Sequence, residues 1–151
     1  MRIIAGSRRG AKLKKLDAVN IRPTADRVRE SLFNILDSGR FGRALHRAVV
    51  IDAFAGTGAL GLEALSRGAA SACFIEQSAD ALLVLRANVK KLDMHRHSQI
   101  IAGDATSLSH WQHAPASILF ADAPYQTGGG QKTAITLQSL GGLAAGAVVI
   151  L

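Results

Sequence analysis

Four acidic residues, Asp52, Glu76, Asp104 and Asp122, each stand at or just past the end of an apolar run, where a buried strand would open onto solvent. The first follows Val49-Val50-Ile51 and precedes Phe54, Ala55, Gly56 and Gly58. Two glycines so close together let the backbone turn tightly and approach a ligand. Gly56 to Gly61 also spells G-x-G-x-x-G, so a nicotinamide dinucleotide and an oxidoreductase form one open reading. Asp52 and Phe54 weigh against it. A carboxylate there would crowd a pyrophosphate but suits an ammonium group, such as the amino-acid part of S-adenosylmethionine. Glu76 lies 18 residues beyond Gly58, the spacing at which a second-strand carboxylate reaches a ribose diol. With the glycine loop, Asp52, Glu76 and Asp104 outline a pocket for a ligand carrying hydroxyls and an amine or cationic group.

Asp122-Ala123-Pro124-Tyr125 supplies a different chemistry. An exocyclic base amine is a poor nucleophile because its lone pair is delocalised into the ring. A carboxylate (Asp122) and a backbone carbonyl (Ala123) can hold both amine hydrogens, aim the lone pair at a methyl group and stabilise the charge that develops. Pro124 stiffens the turn and Tyr125 offers a face for stacking the base. A sulfonium-bound methyl is already strongly electrophilic, so positioning carries most of the catalysis and no separate general base is required. The same turn would serve a DNA methyltransferase or another amine methyltransferase. The five histidines have no cysteine beside them and none ends a strand, so no metal site is expected. Trp111 reads as a packing anchor, and Cys73, the single cysteine, as a buried small hydrophobe.

These residues need a parallel sheet to hold them. VVI (49–51) and ASACFIE, SQIIAGDA, ASILFADAPY and AVVIL read as five strands, the first ended by Asp52. Helices fall between them: from Ala59 to a stop at Gly68, then SADALLVLRANVKKL with Leu82, Leu85, Val89 and Leu92 inward, then QKTAITLQSL. TGGG (127–130) reads as a flexible break that could act as a lid. The alternation predicts an α/β fold, Rossmann-like, with a mostly parallel sheet and helices on both faces. Ahead of it, residues 1–22 read as a basic arm or hairpin, and 23–151 as the remaining single domain. Thr24 caps a helix in which Val28, Leu32, Ile35 and Leu36 form an apolar stripe, leaving Arg27, Arg29, Glu30 and Asn34 off it.

The 151 residues suit one domain. No apolar run approaches the roughly 20 residues of a membrane span, and MRIIAGSRRGAKLKK is not a secretory signal. A cytoplasmic monomer is expected. Residues 1–47 hold twelve Lys and Arg against four Asp and Glu, while the remainder holds six against seven. Arg8, Arg9 and Lys12 lie in this basic segment, which points to nucleic acid. A module that binds RNA without catalysis is the non-enzymatic alternative.

RIIAGSRRGAKL, RPTADRVRESLFNIL, DAFAGTGALGLEALSRGA and the DAPY turn together resemble the RsmD family, bacterial methyltransferases acting on the N2 of a guanine in 16S ribosomal RNA. The resemblance spans nearly the whole chain. It implies a class I methyltransferase fold, S-adenosylmethionine as donor, and a substrate RNA within the small ribosomal subunit. By motif, Asp52, Phe54, Ala55, Gly56 and Gly58 would line the methionine end, Glu76 would hold the ribose, and Asp104 with Ala105 would contact adenine. Asp122, Pro124 and Tyr125 would form the amine site. Thr24, Arg27 and Arg29 match the helix that closes over the cofactor and faces RNA. Ala123 replaces a proline usual in the family; its carbonyl is kept, so an active but looser turn is expected. The family also continues past the fifth strand with an antiparallel hairpin, so a sheet lacking its last strands is expected.

Overall fold

A computed structural model describes residues 1–17, 24–124 and 128–151, with the side chains of Thr24 and Ala25 left aside. The expectations for Tyr125, Thr127 and the Thr24 cap therefore lie outside the described residues. β1 (Val49–Ala53), β2 (Ser71–Glu76), β3 (Ser98–Ala102), β4 (Ala116–Ala121) and β5 (Leu143–Ile150) form one sheet in the order β3-β2-β1-β4-β5. Every pairing is parallel. The strand order reverses direction at β1 and β4, and the crevice beyond their carboxyl ends is where such sheets bind ligands.

Strand alternation divides the core between two faces. Val50, Phe74, Ile118 and Phe120 point to one face, where they meet α1 (Thr24–Asp37), α2 (Ala59–Ser66) and α3 (Ala79–Lys91). Ile51, Cys73, Ile75 and Leu119 point to the other, under α4 (Gly129–Ser139). Between β3 and β4 only a short 3-10 turn, Ala105–Ser107, and a loop cover this second face. Trp111 is half-buried against it, as an anchor should be. Cys73 is buried, and burial pushes its thiol up to about 12. No helix among the described residues is long and apolar enough to cross a membrane.

Residues 1–13 fold back on themselves as a hairpin. Arg2 pairs antiparallel with Lys12, and the Ile3 and Gly10 amides donate to the Ala11 and Ile3 carbonyls at 2.9 and 2.8 Å. Ile3 and Leu13 drop into the core, so this basic segment is part of the domain's packing. Gly6 fits only because it lacks a side chain: its φ is +86° and a Cβ would stand 1.9 Å from the Ser66 carbonyl.

Several expectations are corrected by packing. On α1 the inward residues are Arg29, Phe33 and Leu36, whereas Val28 and Ile35 are 66% and 49% exposed. Phe33 wins because its ring lies 5.6 Å from that of Phe120, with the Arg67 guanidinium 5.0 Å from its ring centre. Asp52 lies inside β1, which runs on to Ala53. Gly129 and Gly130 open α4 and are buried, so this part of the glycine run is helix. A Cβ on Gly130 would sit 2.7 Å from the Ala121 carbonyl, so the glycine lets α4 lie close on β4. β5 starts earlier than its apolar letters suggest and lies at the sheet edge, with Val149 39% exposed.

Phe33→Ala is expected to cost about 3–5 kcal/mol of unfolding free energy. Ile35→Ala should change it by less than about 0.5 kcal/mol. Urea denaturation of both variants checks which stripe of α1 faces inward.

Candidate active site

At the carboxyl end of the sheet a cavity of about 410 Å³ is lined by Phe54, Glu76, Asp104, Ala105, Asp122 and Pro124, together with neighbouring residues of the same loops. Residues from the ends of β1, β2, β3 and β4 thus converge on one space, although 70 positions of sequence separate the first from the last. The turn after β1 is set by backbone conformation. Phe54, Gly56 and Gly58 all have positive φ, at 58°, 57° and 85°. For Phe54 this is an uncommon and strained conformation, of a kind that collects at functional sites.

Two carboxylates hold that turn. Asp52 is 2% exposed and its Oδ2 accepts the Gly61 amide at 2.9 Å, at the start of α2. Gly61 allows the approach, because a Cβ there would meet the Phe74 ring at 2.4 Å and the Asp52 Cβ at 3.2 Å. Glu76 Oε2 accepts the Gly56 amide at 2.7 Å, and its Oε1 accepts the Gln77 and Ser78 amides at 2.9 Å each. Three of the roughly four acceptor positions of the Glu76 carboxylate are thereby used, leaving space for one ligand hydroxyl. Asp104 is exposed; it accepts the Thr106 amide and hydroxyl at 2.9 and 2.8 Å, bonds that hold its carboxyl below the ordinary value.

The residues named from sequence separate into two sets. Phe54, Glu76, Asp104, Ala105, Asp122 and Pro124 line the cavity. Asp52, Ala55 and Gly58 are buried behind the lining, with Gly56 in the same turn. Asp52 therefore departs from the expectation of an open carboxylate facing an ammonium: alternation along β1 turns it toward α2. Asp122 is exposed just past β4, in a tight turn in which the Ala123 amide donates to the Ala121 carbonyl at 3.0 Å.

Arg29 corrects another expectation. It is 5% exposed, donates to the Arg2 carbonyl, pairs with Asp26 at 3.2 Å and lies 4.0 Å from Glu63. Its guanidinium is a strut inside the protein, with little of it open to a partner. Arg8 likewise turns its Nε to the Leu92 carbonyl at 2.8 Å. Arg9, Lys12 and Arg27 are exposed. No group of three or more His, Cys, Asp or Glu able to hold a metal occurs among the described residues.

Two supporting residues escape the sequence reading. Asn88, fully buried, donates to the Thr57 and Lys14 carbonyls at 2.9 and 3.1 Å and accepts the Lys14 amide at 2.7 Å, tying the glycine turn to the segment after the hairpin. Glu63, also fully buried, accepts the Ile4 and Ala5 amides. The available signal is a polar letter on the inward stripe of an amphipathic helix for Asn88, and a charged letter within a run buried all round for Glu63.

Solved structures share this fold. A protein of Escherichia coli named as a candidate methyltransferase superposes with a TM-score of 0.82 at 40% identity, over 95% of this chain and 75% of that one. A hypothetical protein of Thermus thermophilus gives 0.66 at 30% identity, over 99% and 80%. An SAH-bound methyltransferase of Podospora anserina shares the fold at 0.66 and 18% identity, over 85% of this chain and 55% of its own. The parallel sheet, the glycine turn after β1 and the acidic rim define a class I methyltransferase fold, α/β and Rossmann-like. The family model described as conserved hypothetical protein 95 matches residues 1–151. Ribosomal RNA small subunit methyltransferase D of Escherichia coli K12 is 39% identical over 149 residues, 99% of this chain and 72% of that protein. Its namesake in Buchnera aphidicola subsp. Acyrthosiphon pisum is 34% identical over 141 residues, 91% and 69%. The chain belongs to this RsmD family.

Burial pushes the Asp52 carboxyl from 3.8 up to about 8, with Asp122 and Glu76 adding repulsion against the Gly61 hydrogen bond. A raised folded-state value favours the neutral acid. Its stabilising contribution is complete below about pH 3.8, declines as pH rises, and is lost above about pH 8. Asp52→Asn, which keeps an acceptor for Gly61, is expected to flatten that decline. Melting temperatures of both proteins across this window test it; parallel pH curves would refute it.

Proposed function

We propose that this chain transfers a methyl group from S-adenosylmethionine to the exocyclic N2 amine of a guanine in 16S ribosomal RNA, within the small ribosomal subunit. The observation that carries the proposal is the single cavity in which Asp122 and Pro124 face Phe54, Glu76, Asp104 and Ala105. The donor set fits the cofactor. Glu76 keeps an acceptor position for a ribose hydroxyl, and Ala105 beside Asp104 gives an adenine an apolar contact and a carboxylate edge. About 410 Å³ lies within the size range of small-molecule sites. Bound there, S-adenosylmethionine would supply an electrophilic methyl on a positively charged sulfur.

The chain's own work is to hold the amine. The Asp122 carboxylate accepts one amine hydrogen and the Ala123 carbonyl the other, which directs the nitrogen lone pair and stabilises positive charge on that nitrogen. Asp122 can then take the departing proton. Pro124 restricts the turn, and Tyr125 follows it as the stacking surface for the base. The names of the relatives, ribosomal RNA small subunit methyltransferases, support the RNA as substrate. The basic excess of residues 1–47 supports a polyanionic partner.

Asp122→Asn is expected to lower turnover by at least about a hundredfold while cofactor affinity stays within about threefold, since Glu76, Asp104 and Ala105 are untouched. Isothermal titration with S-adenosylmethionine and, separately, NADH, followed by methyl transfer to unmodified 16S ribosomal RNA, checks both halves. Affinity for NADH alone would overturn the proposal.

A further inference from the structure

Asn88, on α3, has no exposure to water, and both hydrogens of its amide are spent on backbone carbonyls. One goes to Thr57 at 2.9 Å, in the glycine turn; the other goes to Lys14 at 3.1 Å, just past the hairpin. Its Oδ1 closes a ring with that second residue by accepting the Lys14 amide at 2.7 Å. The base of the hairpin reaches Thr57 by another route as well. The Leu13 amide donates to the Met1 carbonyl at 3.0 Å, and the Met1 Sδ lies 3.5 Å from the Thr57 hydroxyl. Neither Asn88 nor Lys14 lines the active-site cavity.

What Asn88 fixes is the direction of one peptide. Thr57 lies between Gly56 and Gly58, both at positive φ. With no side chain on either glycine, the peptides of this turn rotate at little steric cost unless they are held. The Thr57–Gly58 peptide is held at both ends: its carbonyl accepts from Asn88, and its N–H donates to the Ala55 carbonyl at 2.8 Å. The Gly56 amide is held by Glu76. The Gly56–Thr57 peptide between them makes no hydrogen bond among the described residues, so this clamp leaves it free. Phe54, which lines the cavity, opens the same turn.

We propose that Asn88 is a positioning residue for the cofactor, and that through it the Lys14 segment and cofactor occupancy are coupled. The inference rests on the S-adenosylmethionine reading above. One amide group sets both the glycine turn and Lys14, so a shift of Lys14 reaches the turn. Cofactor that orders the turn orders Lys14 in return, because coupling between two sites is reciprocal. An asparagine that served folding alone would affect stability and leave cofactor affinity where it was.

The test is a double-mutant cycle read by isothermal titration with S-adenosylhomocysteine, the donor without its methyl group. Asn88→Ala removes the clamp. Lys14→Pro removes the Lys14 N–H, with Lys14→Ala as the control for its side chain. Binding should weaken about tenfold in Asn88→Ala and about threefold in Lys14→Pro, relative to wild type and Lys14→Ala respectively. In the Asn88→Ala background, Lys14→Pro should add less than about twofold. Leu92→Ala, a buried change at the end of α3, controls for stability: it should lower the melting temperature and leave affinity within about twofold. An Asn88→Ala affinity no weaker than that control, or a Lys14→Pro effect undiminished in the double variant, would overturn the inference. Hydrogen exchange on the wild type decides where the variants do not fold. Saturating S-adenosylhomocysteine should slow exchange of the Lys14 amide by about fivefold or more, and an unchanged rate would overturn the coupling. A wild type that binds no S-adenosylhomocysteine would overturn the proposed function and this inference together. One that binds it and shows the cycle, yet methylates no 16S ribosomal RNA, would overturn the proposed function and leave the role of Asn88 standing.

Discussion

The structure depends first on the buried carboxylate of Glu63. A charge with no exposure to water must be paired and hydrogen-bonded or it destabilises the fold. Glu63 meets that requirement with four neighbours: the Ile4 and Ala5 amides, the Arg67 Nε at 2.9 Å and the Arg29 Nε at 4.0 Å. Through them one side chain of α2 fastens the N-terminal hairpin and α1 to the sheet. Arg67 extends the network to Asp37 at the end of α1, at 2.7 Å. The basic hairpin, which could have been a loose tail, becomes a rigid rim.

The active-site end is built by the same device at smaller scale. Asp52 ties the sheet to the start of α2 through Gly61, and Glu76 ties the glycine turn to the start of α3. Asn88 then links that turn back to the segment after the hairpin. The glycine turn is held from three directions by buried or half-buried polar groups, which is how a strained residue such as Phe54 keeps a positive φ. The methyl transfer proposed above would need such rigidity, because small displacements of an amine from its methyl donor are costly.

The resemblance to a family puts the cofactor and amine motifs on loops at the carboxyl end of the sheet, where one cavity gathers six of the named residues. Three residues named for direct contact, two of them by the same resemblance, behave differently. Asp52 and Arg29 are both buried supports, and Arg8 is turned onto a backbone carbonyl. Charge in a sequence shows only that a polar partner is required; it does not distinguish a ligand from the protein itself.

What the sequence determined by itself was the succession of strands, glycine turn and helices along the chain, because these follow from local rules. Apolar runs, a 3.6-residue period and glycines at positive φ need no distant partner. What only the tertiary structure decided was which side of each element faces in. On α1, the apolar Val28-Leu32-Ile35-Leu36 and the mixed Arg29-Phe33-Leu36 both have helical spacing, and periodicity ranks the purely apolar stripe first. The second stripe is buried because Phe120 and Glu63, far along the chain, supply a ring for Phe33 and a counter-charge for Arg29. A buried arginine is stable only where its partner arrives, and the packing of α2 against α1 brings it there.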